Sequence, residues 1–158
     1  MNTSNIKKYA PQARNDFIAA MRKQAAKYGI TADRILPAEQ KGDLLLIGDQ
    51  VFPLSVMKSR EKLIKRIQTS SFEQTIDYIA YSWFNRLCAI RYMECKGLLD
   101  HGRRVLSSAD GSAGLPQILE ECLDIDLPGL DASRVAELKL DGNKDEELYR
   151  ELLLAQCH

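Results

Sequence analysis

The sequence predicts a mainly α-helical fold, a helical domain around one long central helix with a minor β-hairpin near residues 44–52. Three observations lead there. Apolar residues recur at three- and four-residue intervals over most of the chain, the period of a helix with one buried face. Residues that start helices (Pro, Ser, Asp, Asn) open several of these runs, and glycine closes them. Any β signal is confined to one short segment.

The first helix is expected to start at Pro11, because a proline's missing N–H would have no partner in a first turn. It continues through Ala13, Phe17, Ala20, Met21 and Ala25 and stops at Tyr28–Gly29. Residues 30–43 carry no sustained period and read as a loop. Leu44–Ile47, the turn Gly48–Asp49 and Gln50–Phe52 suit a small hairpin whose length Pro53 limits. From Val56 to Gln68 the helical period returns. Ser71 then forms a capping box with Gln74 and opens the central helix, about residues 72–96, which Gly97 ends. Its apolar residues Ile76, Ile79, Ala80, Trp83, Phe84, Leu87, Cys88 and Ile90 cover about half the helical wheel, so Trp83, Phe84 and Leu87 are expected in the core.

After Arg103–Arg104 the small-residue stretch Ser107–Gly114 reads as a loop. Pro116 starts a short helix through Leu123, and Pro128–Gly129 breaks the chain. Asp131 caps a helix through Leu140 that Gly142 closes. Asn143 with Glu146 makes another capping box, and Leu148, Leu152 and Leu153 carry the last helix to His158.

With 158 residues, 45% of them hydrophobic, the chain suits one domain spanning 1–158. No stretch approaches the roughly 20 apolar residues of a membrane span, and the polar start has no apolar signal core, so a soluble, cytoplasmic protein without membrane contact is expected. The net charge of +0 hides a division. Residues 1–106 carry 18 Lys/Arg against 10 Asp/Glu, a basic part of net +8; residues 107–158 carry 4 against 12, an acidic helical part of net −8. Such halves can neutralise each other within the fold or present opposite faces to partners.

Catalytic and metal-binding patterns do not emerge. His101 and His158 are far apart in sequence, and neither His-Glu-x-x-His nor Cys-x-x-Cys occurs. Cys88 and Cys95 lie roughly 10 Å apart along the central helix, too far for a disulfide, and are expected to pack. No Gly-x-Gly-x-x-Gly, Walker loop or nucleophile elbow is found. Glu120–Glu121 and Asp145–Glu146–Glu147 read as solvated helix faces.

Two constellations remain. Lys58, Lys62, Lys65 and Arg66 share one arc of their helix, opposite Leu63, Ile64 and Ile67. The stripe could meet DNA-backbone phosphates, face solvent, or dock the acidic half; no aromatic residue interleaves with it in sequence. Arg91 and Glu94 both fall inside the apolar arc of the central helix, three residues apart. A buried structural ion pair is expected there, with a ligand-binding arginine as the alternative.

The run YSWFNRLCAIRYME, Tyr81–Glu94, resembles the start region of the PglX-type adenine-specific DNA methyltransferases of BREX phage-defence systems. Supporting stretches are NIKKYAPQARNDF at Asn5–Phe17, GLLDHG at Gly97–Gly102 and GNKDEELYRELLLAQCH at Gly142–His158. The resemblance implies methyl transfer from S-adenosylmethionine to the N6 of adenine in a full-length protein. It also implies an Asn-Pro-Pro-Tyr type motif and a Gly-rich cofactor loop, and this sequence has neither. The chain is therefore expected to be a non-catalytic N-terminal scaffold or DNA-positioning region that holds no cofactor itself, with the catalytic domain downstream in cis. The alternative is a binding module that docks DNA or other BREX components through the basic stripe.

Overall fold

The computed structural model describes residues 4–157, with side chains from Lys7 onward. Element order is α1 (Ser4–Lys27), β1 (Ala38–Lys41), β2 (Leu44–Ile47), β3 (Gln50–Pro53), α2 (Val56–Thr69), α3 (Phe72–Lys96), α4 (Gln117–Glu120), a 3₁₀ turn (Cys122–Asp124), α5 (Ala132–Asp141) and α6 (Asp145–Gln156). The mainly helical fold with a minor sheet is as expected. Two compact units form, residues 1–84 and 85–158, and the boundary lies within α3 rather than at the charge change after residue 106. The first unit carries 13 Lys/Arg against 8 Asp/Glu and the second 9 against 14, so the units are oppositely charged.

In the first unit, α1 begins well before Pro11, which lies inside it. The proline deprives the Lys7 carbonyl of its partner, but both residues are exposed, and solvent can take over that bond. The helix ends as expected: Gly29 has φ +71°, and the Gly29 and Ile30 N–H groups donate to the Ala26 and Ala25 carbonyls at 2.9 and 3.0 Å. A Cβ at Gly29 would stand 2.5 Å from Ile47 Cγ2, so close approach to β2 also requires glycine.

The sheet has three antiparallel strands in the order β1-β2-β3, with Glu39 opposite Leu46 and Leu46 opposite Val51. Strand β1 corrects the expectation of a loop throughout 30–43. Its residues Ala38–Lys41 are all exposed, so they carry no apolar alternation, and β1 is held by pairing with β2. Leu45 and Ile47 point inward from β2 and pack with Phe52, Tyr28, Leu36, Val56 and Met57.

The second core of this unit joins Ala25 and Ile30 to Phe72 and Ile76 of α3, with Leu63, Ile64 and Ile67 of α2 against it. In the middle of that apolar face of α2 sits Arg60, 8% exposed. Its Nε donates to the Tyr28 carbonyl at 2.9 Å, and its Nη2 donates to the Leu36 carbonyl. The first contact puts a cation on a carbonyl at the C-terminal end of α1, where the helix dipole favours it. Burial lowers the pKa of Arg60 below the ordinary guanidinium value.

Helix α3 starts with the Ser71 hydroxyl accepting from the Gln74 N–H at 3.1 Å and ends before Gly97, φ +65°. Its two ends serve different cores: Phe72 and Ile76 the first unit, Ile90 the second. Trp83, Phe84 and Leu87 are half-buried, not fully buried as expected, because the middle of the helix belongs to neither core. Phe84 still meets Phe17 edge to face at 5.7 Å.

The second unit packs Ile90, Leu99 and Val105 against Ile118, Leu119 and Cys122, and against Val135, Leu138, Leu148 and Leu152. Helix α5 is capped as expected, Asp131 accepting from Ser133 and Arg134 N–H groups, and Gly142 closes it at φ +65°. Helix α6 departs from expectation: Lys144, not Asn143, occupies its N-cap, without a side-chain cap bond, and the helix ends at Gln156. His158 lies outside the described residues.

Replacing Arg60 by Met leaves two carbonyls without their charged donors. The expected loss is at least about 2 kcal/mol, read from the urea midpoint; a loss below about 0.5 kcal/mol would contradict the role assigned to Arg60.

Candidate nucleic-acid interface

The inward face of α2 fixes what its other face can do. With Arg60, Leu63, Ile64 and Ile67 turned to the core side, Lys58, Lys62, Lys65 and Arg66 are all exposed. Among the described residues no ion pair reaches these four. Arg14, Arg22 and Lys41 of the same unit, by contrast, pair with Asp77, Glu73 and Glu39. Arg66 lies over the ring of Tyr78 from α3, 3.8 Å from its centroid. The fold thus brings an aromatic residue beside a stripe that has none in sequence.

The second constellation centres on Glu94. Its side chain is fully buried, whereas Arg91 is 46% exposed. The expected pair therefore forms, but only its carboxylate is buried: Arg91 Nη1 donates to Glu94 Oε1 and reaches Ser107 Oγ at 3.0 Å. The long arginine side chain leaves the core side of the helix and carries its head towards water. Glu94 Oε2 accepts from the Val105 and Leu106 N–H groups at 2.8 and 2.7 Å, and Oε1 accepts from the Ser107 hydroxyl. Arg104 Nη1 stands 3.8 Å from the same Oε1.

A carboxylate on α3 thereby organises the segment after it. From the other side the Tyr149 hydroxyl donates to the Val105 carbonyl at 3.0 Å, and the Gln117 and Ile118 N–H groups donate to the Ser107 and Arg104 carbonyls. Burial pushes the Glu94 pKa up, but the bonds from Ser107, Leu106, Arg91 and Val105 outweigh it and hold the group below its ordinary value. Burial, with the Glu94 charge, raises Tyr149. In the exposed turn beyond, Asp110 accepts from Ser108 and Ser112 and is lowered to about 2.

Cys88 and Cys95 are exposed, not packed, because they lie on the side of α3 away from Ile90 and Glu94. His101 Nδ1 accepts from the Arg103 N–H at 3.1 Å, so Nε2 carries the proton and donates to Gln156. Glu121 pairs with Arg103 and Glu147 with Arg134, while Glu120, Asp145 and Glu146 are solvated. The residues missed in the sequence are Arg60, Tyr78, Arg104 and Ser107. Arg60 had a readable signal, since it stands three, four and seven residues before Leu63, Ile64 and Ile67, on the apolar arc. The other three come from segments distant in sequence.

No protein-family model matches the chain. It is 48% identical over 165 residues to the adenine-specific methyltransferase BrxX of Escherichia coli O9:H4 (strain HS), covering 100% of this chain and 14% of that protein. It is 30% identical over 138 residues to the adenine-specific methyltransferase PglX of Lacticaseibacillus casei (strain Zhang), covering 80% of this chain and 11% of that protein. The resemblance carried by Tyr81–Glu94 is borne out. The chain spans under one sixth of the length of the curated relatives it matches.

The two partners of the Arg91–Glu94 pair should respond unequally. Glu94→Gln breaks a buried charged network and is expected to cost about 3–5 kcal/mol. Arg91→Met is expected to cost no more than about 1 kcal/mol, because it removes an exposed partner while Glu94 keeps its other donors. Equal losses in denaturant unfolding would contradict this asymmetry. Because the folded pKa of Glu94 is lowered, its stabilisation is full above the ordinary glutamate value of about 4.3 and fades as pH falls through the folded value. The thermal midpoint of the wild-type chain should therefore fall more steeply below about pH 4.3 than that of Glu94→Gln; parallel curves would contradict the assignment.

Proposed function

We propose that this chain, related over its whole length to a segment of PglX-type adenine-specific methyltransferases, is a non-catalytic helical region of such an enzyme that frames its catalytic part and positions DNA. The observation that carries this reading is the 48% identity across the full chain to 14% of the relative.

The residues support the same division of labour. The sequence contains no Asn-Pro-Pro-Tyr type motif to hold a flipped adenine and no Gly-rich loop to hold S-adenosylmethionine. Buried polar groups, chiefly Arg60 and Glu94, are committed to tying segments together. In this reading S-adenosylmethionine binds the remainder of the full-length enzyme, which lies downstream in cis and acts in the cytoplasm within BREX phage defence. Among the described residues no helix is long and apolar enough to cross a membrane.

A chimera tests the proposal. Exchanging the matching segment of the Escherichia coli relative for this chain should preserve adenine methylation of genomic DNA. Deleting the segment should abolish methylation, while the chain alone should neither bind S-adenosylmethionine in calorimetry nor transfer methyl groups. Micromolar cofactor binding by the chain alone, or full methylation after deletion, would overturn the reading.

A further inference from the structure

We infer that the outward face of α2 is a phosphate-tracking surface for the backbone of duplex DNA, an inference that deepens the DNA-positioning part of the proposed function and rests on it. With about 100° per residue, Lys65, Lys58, Lys62 and Arg66 fall within an arc of about 120° that also holds Ser55, Ser59 and Thr69. All seven are exposed. Four cations and three hydroxyls, spread over about 20 Å of helix axis, are the side chains that contact phosphate oxygens without reading bases. Glu61 borders the arc and is the only acidic residue of α2.

The arrangement works against the helix that carries it. Lys58 and Lys62, and again Lys62 and Arg66, are like charges four residues apart, a spacing at which they repel. The first turn of α2 contains Lys58 and no acidic residue, opposite to the preference of the helix dipole. Arg14, Arg22 and Lys41 of the first unit pair with Asp77, Glu73 and Glu39, whereas Lys58, Lys62 and Lys65 have no acidic partner among the described residues and, unlike the unit's other unpaired cations, stand together on one helical arc. A polyanion laid along the arc relieves the repulsion, and charge complementarity identifies that occupant.

Two features outside the arc fix its geometry. Arg60 ties the buried side of α2 to the Tyr28 and Leu36 carbonyls, so the stripe rides on an anchored helix. Tyr78 lies under the Arg66 guanidinium and holds that cation at the C-terminal end of the stripe. Because Arg66 covers this ring, Tyr78 is not a free platform for an unpaired base, and duplex is favoured over single strand.

Binding of a fluorescent 20-base-pair random duplex, measured by anisotropy over a salt series, tests the inference. The expected slope of log K against log salt is between about −3 and −4 for the wild-type chain, from four contacts at about 0.9 each. Lys62→Gln with Lys65→Gln should flatten the slope by about 2 and weaken binding at least about tenfold at 0.1 M salt, equally for any sequence. The thermal midpoint should be unchanged or raised, because repulsion is removed. Arg14→Gln, which removes a paired cation outside the arc, should leave the slope unchanged. An unchanged slope in the double variant overturns the inference, as does tighter binding to a single strand than to duplex. A double variant that loses stability while keeping its DNA affinity also overturns it, and would make the stripe a dock for acidic protein surface. Methylation by the chimera is a separate readout, so the enzyme-region reading can stand if this surface fails.

Discussion

The second unit depends on a carboxylate placed where water cannot reach it. Glu94 lies on the buried side of α3, and an unpartnered charge there would be prohibitive. The chain meets the requirement by bringing residues 104–107 to the carboxylate: two backbone N–H groups, one hydroxyl and a second arginine join Arg91. A segment without regular secondary structure thus acquires a fixed path, and the packing of Val105 against Ile118 and Leu148 follows from it. The first unit uses the opposite charge in the same way. There a buried guanidinium, Arg60, gathers carbonyls from the end of α1 and from Leu36.

This use of charge separates structural ions from those left for partners. Arg60 is spent inside, and its position turns Lys58, Lys62, Lys65 and Arg66 outward. Glu94 likewise holds Arg91 and draws in Arg104, so these arginines serve the fold. The stripe on α2 gathers four exposed cations, none with an acidic partner among the described residues, on one arc of a single helix. That clustering, more than the number of lysines, is the basis for proposing an external anion there.

Much of the architecture was legible where a local rule decides the outcome. Gly29, Gly97 and Gly142 each end a helix with positive φ, and Asp131 caps α5 as its side chain dictates. Local rules failed where long-range packing prevailed. Pro11 is a fair start signal, yet α1 extends past it because the exposed Lys7 carbonyl can turn to water. Strand β1 has no apolar alternation, because all four of its residues are exposed and its place is set by backbone pairing with β2. Trp83 and Leu87 follow the apolar arc but miss both cores, because the division of the chain into two units is invisible in periodicity. At the candidate site the stripe and the Arg91–Glu94 pair could be read from spacing. The Tyr78 stack, Arg104 and the Ser107 hydroxyl could not, for they arrive from other segments.

The central claim, that a buried carboxylate rather than regular secondary structure holds residues 104–107, is tested most directly by amide hydrogen exchange. Val105 and Leu106 donate their N–H groups to Glu94, so their exchange should be as slow as that of the α6 core amides at Leu148 and Leu152. Exchange of Val105 and Leu106 at the rate of the exposed turn around Asp110 would contradict the account.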